Sequence, residues 1–161
     1  MKLYFNADEI FEMAEEIERQ GARFYEKSAT LFKEAGIREM LAGLSKMEVG
    51  HEKLFASMRA KILSNDYQGY DPDEMAVAYI KSFTEGKVFD VKKDLCATLT
   101  PSTTLKDVLS LAIEAEKNSI AFYTGIKRLV PEALGQSTVD QIISEEMKHL
   151  VSLSDKLASA S

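Results

Sequence analysis

The sequence of 161 residues contains only three prolines, two histidines and one cysteine. The single cysteine, Cys96, excludes a disulfide framework and a four-cysteine iron or zinc module. The scarcity of proline and the absence of long runs of valine, isoleucine and threonine favour helices over sheets. We therefore expect an all-α protein.

Blocks of basic residues and long apolar runs are also missing. The net charge is −6 and the charged residues are dispersed, so we expect no nucleic-acid partner and no attachment to a membrane surface. No apolar run approaches the ~20 residues of a membrane helix. The first residues, MKLYFNADEIFEM, lack the apolar region of a secretory signal. We expect a cytoplasmic protein with one domain over residues 1–161.

Apolar side chains recur at intervals of three and four in four long segments, which predicts four long helices. We expect these helices at about 7–34, 37–63, 104–129 and 133–158, and a short helix that begins at Pro72. Asn6 and Thr104 are the expected N-caps. Short turns join the helices in pairs and a longer segment joins the pairs, so the expected fold is a four-helix bundle with one long crossover containing a short helix.

Each histidine follows a glutamate by three residues, which places both side chains on one helix face. A shift of 98 residues superimposes the two pairs, and it also superimposes the segments EIERQGARFY and EAEKNSIAFY. Every long helix then carries a glutamate in its core-facing stripe, and two helices carry a histidine as well. The six residues are Glu18, Glu48, His51, Glu116, Glu146 and His149.

Four carboxylates inside a bundle would repel one another and resist removal from water. Either cations lie between them or their pKa values rise far enough to neutralise them. Two divalent metals would balance four negative charges, and two imidazoles offer one nitrogen to each metal. Mixed carboxylate and imidazole donors suit iron or manganese, with zinc possible, and argue against thiolate sites and oxygen-only cages for calcium.

These motifs resemble the ferritin-like di-iron carboxylate superfamily, and most of all its rubrerythrin (erythrin) branch. The matching motifs are Glu18-x-x-Gly21-x-x-Phe24-Tyr25, Glu48-x-x-His51, Glu116-x-x-Ser119-x-x-Phe122-Tyr123 and Glu146-x-x-His149. The resemblance implies a ferritin-like bundle in which the six residues hold two Fe ions. It also implies a homodimer and a peroxidase or oxidase that reduces hydrogen peroxide or O2.

The sequence departs from the rubrerythrin pattern in two respects. Rubrerythrins carry a rubredoxin module with four cysteines, so here we expect electrons from an external donor such as a rubredoxin-type protein. They also carry an additional glutamate one turn before the third-helix ligand, where this sequence has Ile113. The residue related to Ile113 by the repeat is Glu15, which is either a seventh ligand or a solvated charge.

Several neighbouring residues have two possible roles each. Tyr25 and Tyr123 either donate hydrogen bonds to the ligating carboxylates or are ordinary core tyrosines. Gly21 and Ser119 either leave room for bound peroxide or let helices pack closely. Glu145 either points partly inward beside Glu146 or lies at the surface, and we expect the surface. The residues expected in the apolar core include Met13, Met40, Met47, Met58 and Met147.

Two other functions remain open at this stage. One is iron oxidation and storage in a bacterioferritin-like cage, but the connection between His51 and Glu116 is long for a cage subunit. Val49 also stands where a haem-binding methionine would be expected by resemblance. The other is a non-enzymatic metal-binding sensor, or a bundle whose glutamates are merely exposed.

Overall fold

The computed structural model describes residues 7–64, 73–84 and 93–160, which contain helices and no strand. The α-helices are α1 (Ala7–Ala29), α2 (Ala35–Ser64), α3 (Glu74–Thr84), α4 (Leu105–Leu129) and α5 (Gln136–Ser159), with 3-10 helices at Leu95–Thr98 and Glu132–Leu134. The all-α prediction is confirmed, and α3 is the expected short helix in the connection. Within these ranges no helix is both long enough and apolar enough to span a bilayer.

Two apolar clusters fill the bundle, one toward each end. The first includes Phe11 of α1, Phe55 of α2, Ile126 of α4 and Ile142 of α5. The second consists of buried residues from the same four helices together with Leu99, and its helical members include Tyr25, Leu41, Leu109 and Leu153. Every long helix therefore passes from one cluster to the other.

The order of the clusters along each helix gives the topology. Helices α1 and α5 run from the first cluster to the second, whereas α2 and α4 run from the second to the first. Since α2 and α4 are parallel, the segment between them must return along the length of the bundle. Helix α3 lies in this crossover and contributes Val77 and Ile80 to the first cluster.

Close packing of α3 on α4 depends on Gly125. A Cβ atom at this position would lie 2.7 Å from Ile80 Cδ1 and 2.7 Å from Tyr79 Cδ1. The Tyr79 hydroxyl donates a hydrogen bond of 2.7 Å to the Ala121 carbonyl, one turn earlier on α4. A side chain at residue 125 would therefore push the crossover helix away from the bundle.

The helix ends differ from the sequence-based expectations at two places. Helix α1 ends at Ala29 instead of about 34, because the amides of Thr30 and Leu31 bond to carbonyls three residues back and tighten the turn. Helix α5 begins at Gln136 instead of about 133, after Gly135 has adopted a φ of 117°. The expected cap at Asn6 and the expected helix start at Pro72 lie outside the described residues.

The predicted cap of α4 is confirmed. The Thr104 hydroxyl accepts a hydrogen bond from the Asp107 amide, and the Asp107 carboxylate accepts one from the Thr104 amide. This reciprocal pair satisfies two amides that have no partner inside the helix. It fixes the start of the helix that carries Glu116.

Candidate metal centre

Each long helix carries one or two of the six predicted ligands, and they lie between its contributions to the two apolar clusters. On α1, for example, Glu18 lies between Ala14 of the first cluster and Phe24 of the second. All six residues are buried, and the exposed fraction of no whole residue among them exceeds 5%. Polar groups that lie this deep need partners or a counter-charge.

The six side chains form two groups that share two carboxylates. Glu18 and His51 belong to the first group, Glu116 and His149 belong to the second, and Glu48 and Glu146 belong to both. Within each group the ligand atoms lie within 4.8 Å of one another. Each group thus offers one imidazole nitrogen and three carboxylates, as the sequence repeat predicts.

The shared carboxylates present a different oxygen to each histidine. Nδ1 of His51 lies 2.9 Å from Glu146 Oε1 and 3.7 Å from Glu48 Oε2. Nδ1 of His149 lies 2.9 Å from Glu146 Oε2 and 3.5 Å from Glu48 Oε1. The two imidazole rings stack with centroids 5.9 Å apart. This is the arrangement in which two carboxylates can bridge two neighbouring cations.

Three of these atoms are buried but make no hydrogen bond to any residue that the structure describes: Glu48 Oε1, His51 Nδ1 and Glu146 Oε1. His51 Nδ1 and Glu146 Oε1 are only 2.9 Å apart, yet neither forms a hydrogen bond of acceptable geometry. Buried polar atoms of this kind cost free energy unless something else satisfies them. Their convergence on one region fits a pair of metal cations.

The electrostatics of the cluster without metal also indicate a need for positive charge. Burial raises the pKa values of the Glu18 and Glu116 carboxyls well above their ordinary value, and the neighbouring carboxylates add to the rise. Burial alone would lower the pKa of His149, but contacts with Glu116 and Glu146 raise it to about 12. The pKa of His51 is raised for the same reason. Protons therefore neutralise part of the cluster when no metal does.

Two buried tyrosines cross the bundle to the outer carboxylates. The Tyr25 hydroxyl on α1 donates a hydrogen bond of 2.5 Å to Glu116 Oε1 on α4. The Tyr123 hydroxyl on α4 donates one of 2.5 Å to Glu18 Oε1 on α1. Burial raises the pKa values of both phenols well above their ordinary value, so they remain donors. The hydrogen-bonding alternative for these tyrosines is the one that the structure supports.

A solved structure with a similar architecture is that of a proposed ferritin-like diiron-carboxylate protein from Thermotoga maritima. It superimposes with a TM-score of 0.70 and 25% sequence identity, and the match covers 98% of each chain. The fold is ferritin-like. No protein-family model matches the chain, and a search of curated proteins finds no significant match.

The two histidines of this ferritin-like bundle differ in their outer partners. Nε2 of His51 lies 2.7 Å from a carboxylate oxygen of Glu145, whereas Nε2 of His149 lies 3.3 Å from Met47 Sδ. Glu145 was expected at the surface, but it is half-buried because α2 brings His51 against it. Met47, expected in the core, is 41% exposed. The sequence repeat did not predict either contact, because Glu145 and Met47 occupy equivalent positions in it but differ in chemistry.

Glu15 and Ile113, the residues that raise the question of a seventh ligand, lie outside both groups. Glu15 forms ion pairs with Arg59 at 3.4 Å and with Arg19 at 3.9 Å. Ile113 packs against the second apolar cluster. A ligand role for Glu15 stays a prediction.

A cavity of about 390 Å³ lies between α1 and α4 and reaches Glu48 and Glu116. Gly21 and Ser119 both line it. A Cβ atom on Gly21 would lie 3.4 Å from Glu48 Cγ, so a side chain there would begin to fill the space beside this carboxylate. This favours the interpretation that small residues leave room next to the cluster.

Proposed function

We propose that this protein is a non-haem di-iron oxidoreductase that reduces hydrogen peroxide or O2 with electrons from an external donor such as a rubredoxin-type protein. The observation that carries the proposal is the pair of ligand groups joined by Glu48 and Glu146. One imidazole and three carboxylates per group suit iron, with manganese or zinc as alternatives. The description of the Thermotoga maritima protein as a diiron-carboxylate protein supports iron.

The charges of the cluster fit two divalent cations. Four carboxylates carry −4 when ionised, and two such cations carry +4 while the imidazoles remain neutral. The metal pair would supply two electrons and Lewis acidity for cleavage of an O–O bond. The donor set includes no thiolate, so this chemistry does not depend on Cys96.

The residues of the chain have separable tasks in this proposal. Glu48 and Glu146 belong to both groups and would each contribute to holding the two cations, and each histidine would supply one nitrogen donor. Tyr25 and Tyr123 hold the outer carboxylates in place by hydrogen bonds. The apolar clusters on both sides keep bulk water away, and the cavity beside Gly21 gives a small oxidant a route to Glu48.

The choice of peroxide as the preferred oxidant rests on the resemblance to rubrerythrins. Ile113 offers no carboxylate at the position where that branch has its additional glutamate. Peroxide reduction therefore depends on the six ligands alone, or on movement of Glu15 away from Arg59 and Arg19. We propose that the six ligands suffice.

Metal analysis of protein produced with iron is the first test. We expect about two irons per chain, and we expect substitution of His51 or His149 by alanine to reduce this content. Glu39→Gln, on the exposed face of α2, is the control that should leave it unchanged. Unchanged iron content in both histidine variants would contradict the proposal.

Two further measurements separate the possible functions. Rapid mixing of the reduced protein with peroxide or with O2 should show faster oxidation by peroxide. We also propose that the protein is a homodimer, as the resemblance to rubrerythrins implies, and size-exclusion chromatography with light scattering should show it. A 24-subunit particle that accumulates many irons per chain would instead support storage, and metal binding without oxidation would support a sensor.

A further inference from the structure

The cavity between α1 and α4 is larger than the proposed oxidants require. Its volume of about 390 Å³ falls within the range of pockets that bind small organic molecules, roughly 300–1,000 Å³. Liquid water occupies roughly 30 Å³ per molecule, and an apolar cavity of roughly 150 Å³ accommodates benzene. A molecule of two oxygen atoms would leave most of this space unfilled.

The walls of the cavity are mainly apolar. Helix α1 contributes Ile17 and Phe24, α4 contributes Leu111 and Ala115, and the 3-10 helix contributes Leu95. Gln20, Asn118 and Ser119 also line the cavity and can bind water, but most of its surface is apolar and offers water few of the polar partners that it needs. These walls favour an apolar occupant.

The charged residues around the cavity argue for a neutral occupant. Glu48 and Glu116 lie at its buried side, where they would repel an anion. Lys93 and Glu114 are exposed and carry opposite charges, so they create no strong preference for either sign. The Glu114 carboxylate is also paired with Lys117 at 2.9 Å.

We propose that this cavity binds a neutral, largely apolar organic molecule with on the order of a dozen non-hydrogen atoms, if each takes roughly the volume of a water molecule. The molecule would lie beside Glu48 and Glu116, next to the proposed metal centre and on the route that the oxidant would take to it. Only its relation to the metal and the oxidant rests on the proposed function. The binding itself requires no metal.

The test uses 1-naphthylamine, a neutral, largely apolar fluorophore of the proposed size whose emission changes in apolar surroundings. It is titrated into the metal-free full-length protein and into the Mn²⁺-loaded protein. We expect saturable binding of one probe per chain. We expect Leu111→Trp, which fills the cavity, to weaken binding at least tenfold, and Leu63→Trp, at a residue 61% exposed on α2, to leave it unchanged.

Circular dichroism establishes that each variant is folded. If Leu111→Trp is not folded, the smaller change Ala115→Val tests the same wall and should also weaken binding. Emission that does not saturate, or binding that the cavity variants leave unchanged, would overturn the inference. A chain that binds the probe but no metal would contradict the proposed function alone, and a chain that binds two metals but no probe would contradict this inference alone.

Discussion

His51 and His149 occupy equivalent positions in the internal repeat, but their surroundings make the two metal positions inequivalent. A carboxylate on the outer nitrogen of a metal-binding imidazole fixes its tautomer and increases its basicity. Glu145 provides this contact for His51, whereas Met47 gives His149 only a thioether, a weak acceptor. The group that contains His51 should therefore bind its metal more tightly.

The first prediction concerns Glu145 and its repeat-related counterpart, Met47. Glu145→Gln keeps the shape but removes the charge, so the affinity of the group with His51 should fall about 10–100-fold. Met47→Leu, the matched control, should leave that affinity unchanged. Titration with Co²⁺, followed by visible absorption and by competition with a chelator, measures both sites. If the group that contains His51 binds Co²⁺ with the same affinity in both variants, Glu145 does not make the two metal positions inequivalent.

The second prediction concerns protons that the cluster holds before metal binds. Contacts with Glu116 and Glu146 raise the pKa of His149 to about 12, and the pKa of His51 is also raised, so we expect both rings to be protonated at pH 7 in the metal-free protein. Ligation requires neutral imidazole, so each metal must displace a proton. We expect release of at least two protons per chain when two Zn²⁺ ions bind.

A pH indicator in weakly buffered solution measures this release. Because protons compete with the metal, affinity should increase continuously from pH 6 to pH 8 instead of levelling off above 6.5, the ordinary pKa of histidine. The variant His149→Ala should release one proton fewer. Metal binding at pH 7 without proton release would show that the rings are already neutral.

The sequence predicted which residues meet at the candidate site wherever both halves of the repeat carry the same residue type. The six residues that the structure brings together in the two groups are those that the spacing of Glu48 to His51 and the 98-residue shift single out, and their role as metal ligands stays a prediction. Contacts that differ between the halves were not predictable in this way. The partner of each outer imidazole nitrogen depends on how α2 and α5 are rotated against each other, which periodicity alone does not determine.

At the scale of elements, the existence of the helices followed from apolar periodicity, but their ends did not. Thr104 was found because side-chain capping leaves a local sequence signature. The start of α5 was missed because the segment Glu132–Leu134 fits a helical pattern while its backbone forms a 3-10 turn. The left-handed conformation of Gly135 then redirects the chain into α5.

The third prediction uses the difference between Gly135 and Gly43. A Cβ atom at Gly135 would be strained by a φ of 117° and would lie 2.8 Å from Met58 Sδ, so Gly135→Ala should lower the free energy of unfolding by at least ~1 kcal/mol. Gly43 is an exposed residue of α2 with nothing within 4 Å of such an atom. Gly43→Ala should therefore raise the free energy of unfolding by about 0.5–1 kcal/mol.

Urea unfolding of the two variants at equal metal content measures these changes. The comparison is matched because both variants add one methyl group to a glycine. A similar stabilisation in both would show that residue 135 does not need its left-handed backbone. Destabilisation by Gly43→Ala would show instead that this face of α2 is covered.

At the scale of the whole molecule, the candidate metal centre is the only polar layer found in the described core, and it connects all four long helices. The first ligand group joins α1, α2 and α5, and the second joins α2, α4 and α5. Helices α1 and α4 come from different halves of the repeat, and the long crossover is the covalent link between those halves. Bound metal should therefore stabilise the association of the halves as well as each site.

The fourth prediction is that metal binding raises the melting temperature of the whole bundle. At a free metal concentration of roughly 100 times Kd, each site adds about 2.7 kcal/mol of stability, which corresponds to about 5–10 °C for a chain of this size. Calorimetry with Mn²⁺ or Zn²⁺ avoids oxidation during the scan. The double variant His51→Ala/His149→Ala should show little of this shift, because neither group keeps its nitrogen donor. An equal shift in the double variant would mean that the metal stabilises the protein from the acidic surface and not from the layer between the two apolar clusters.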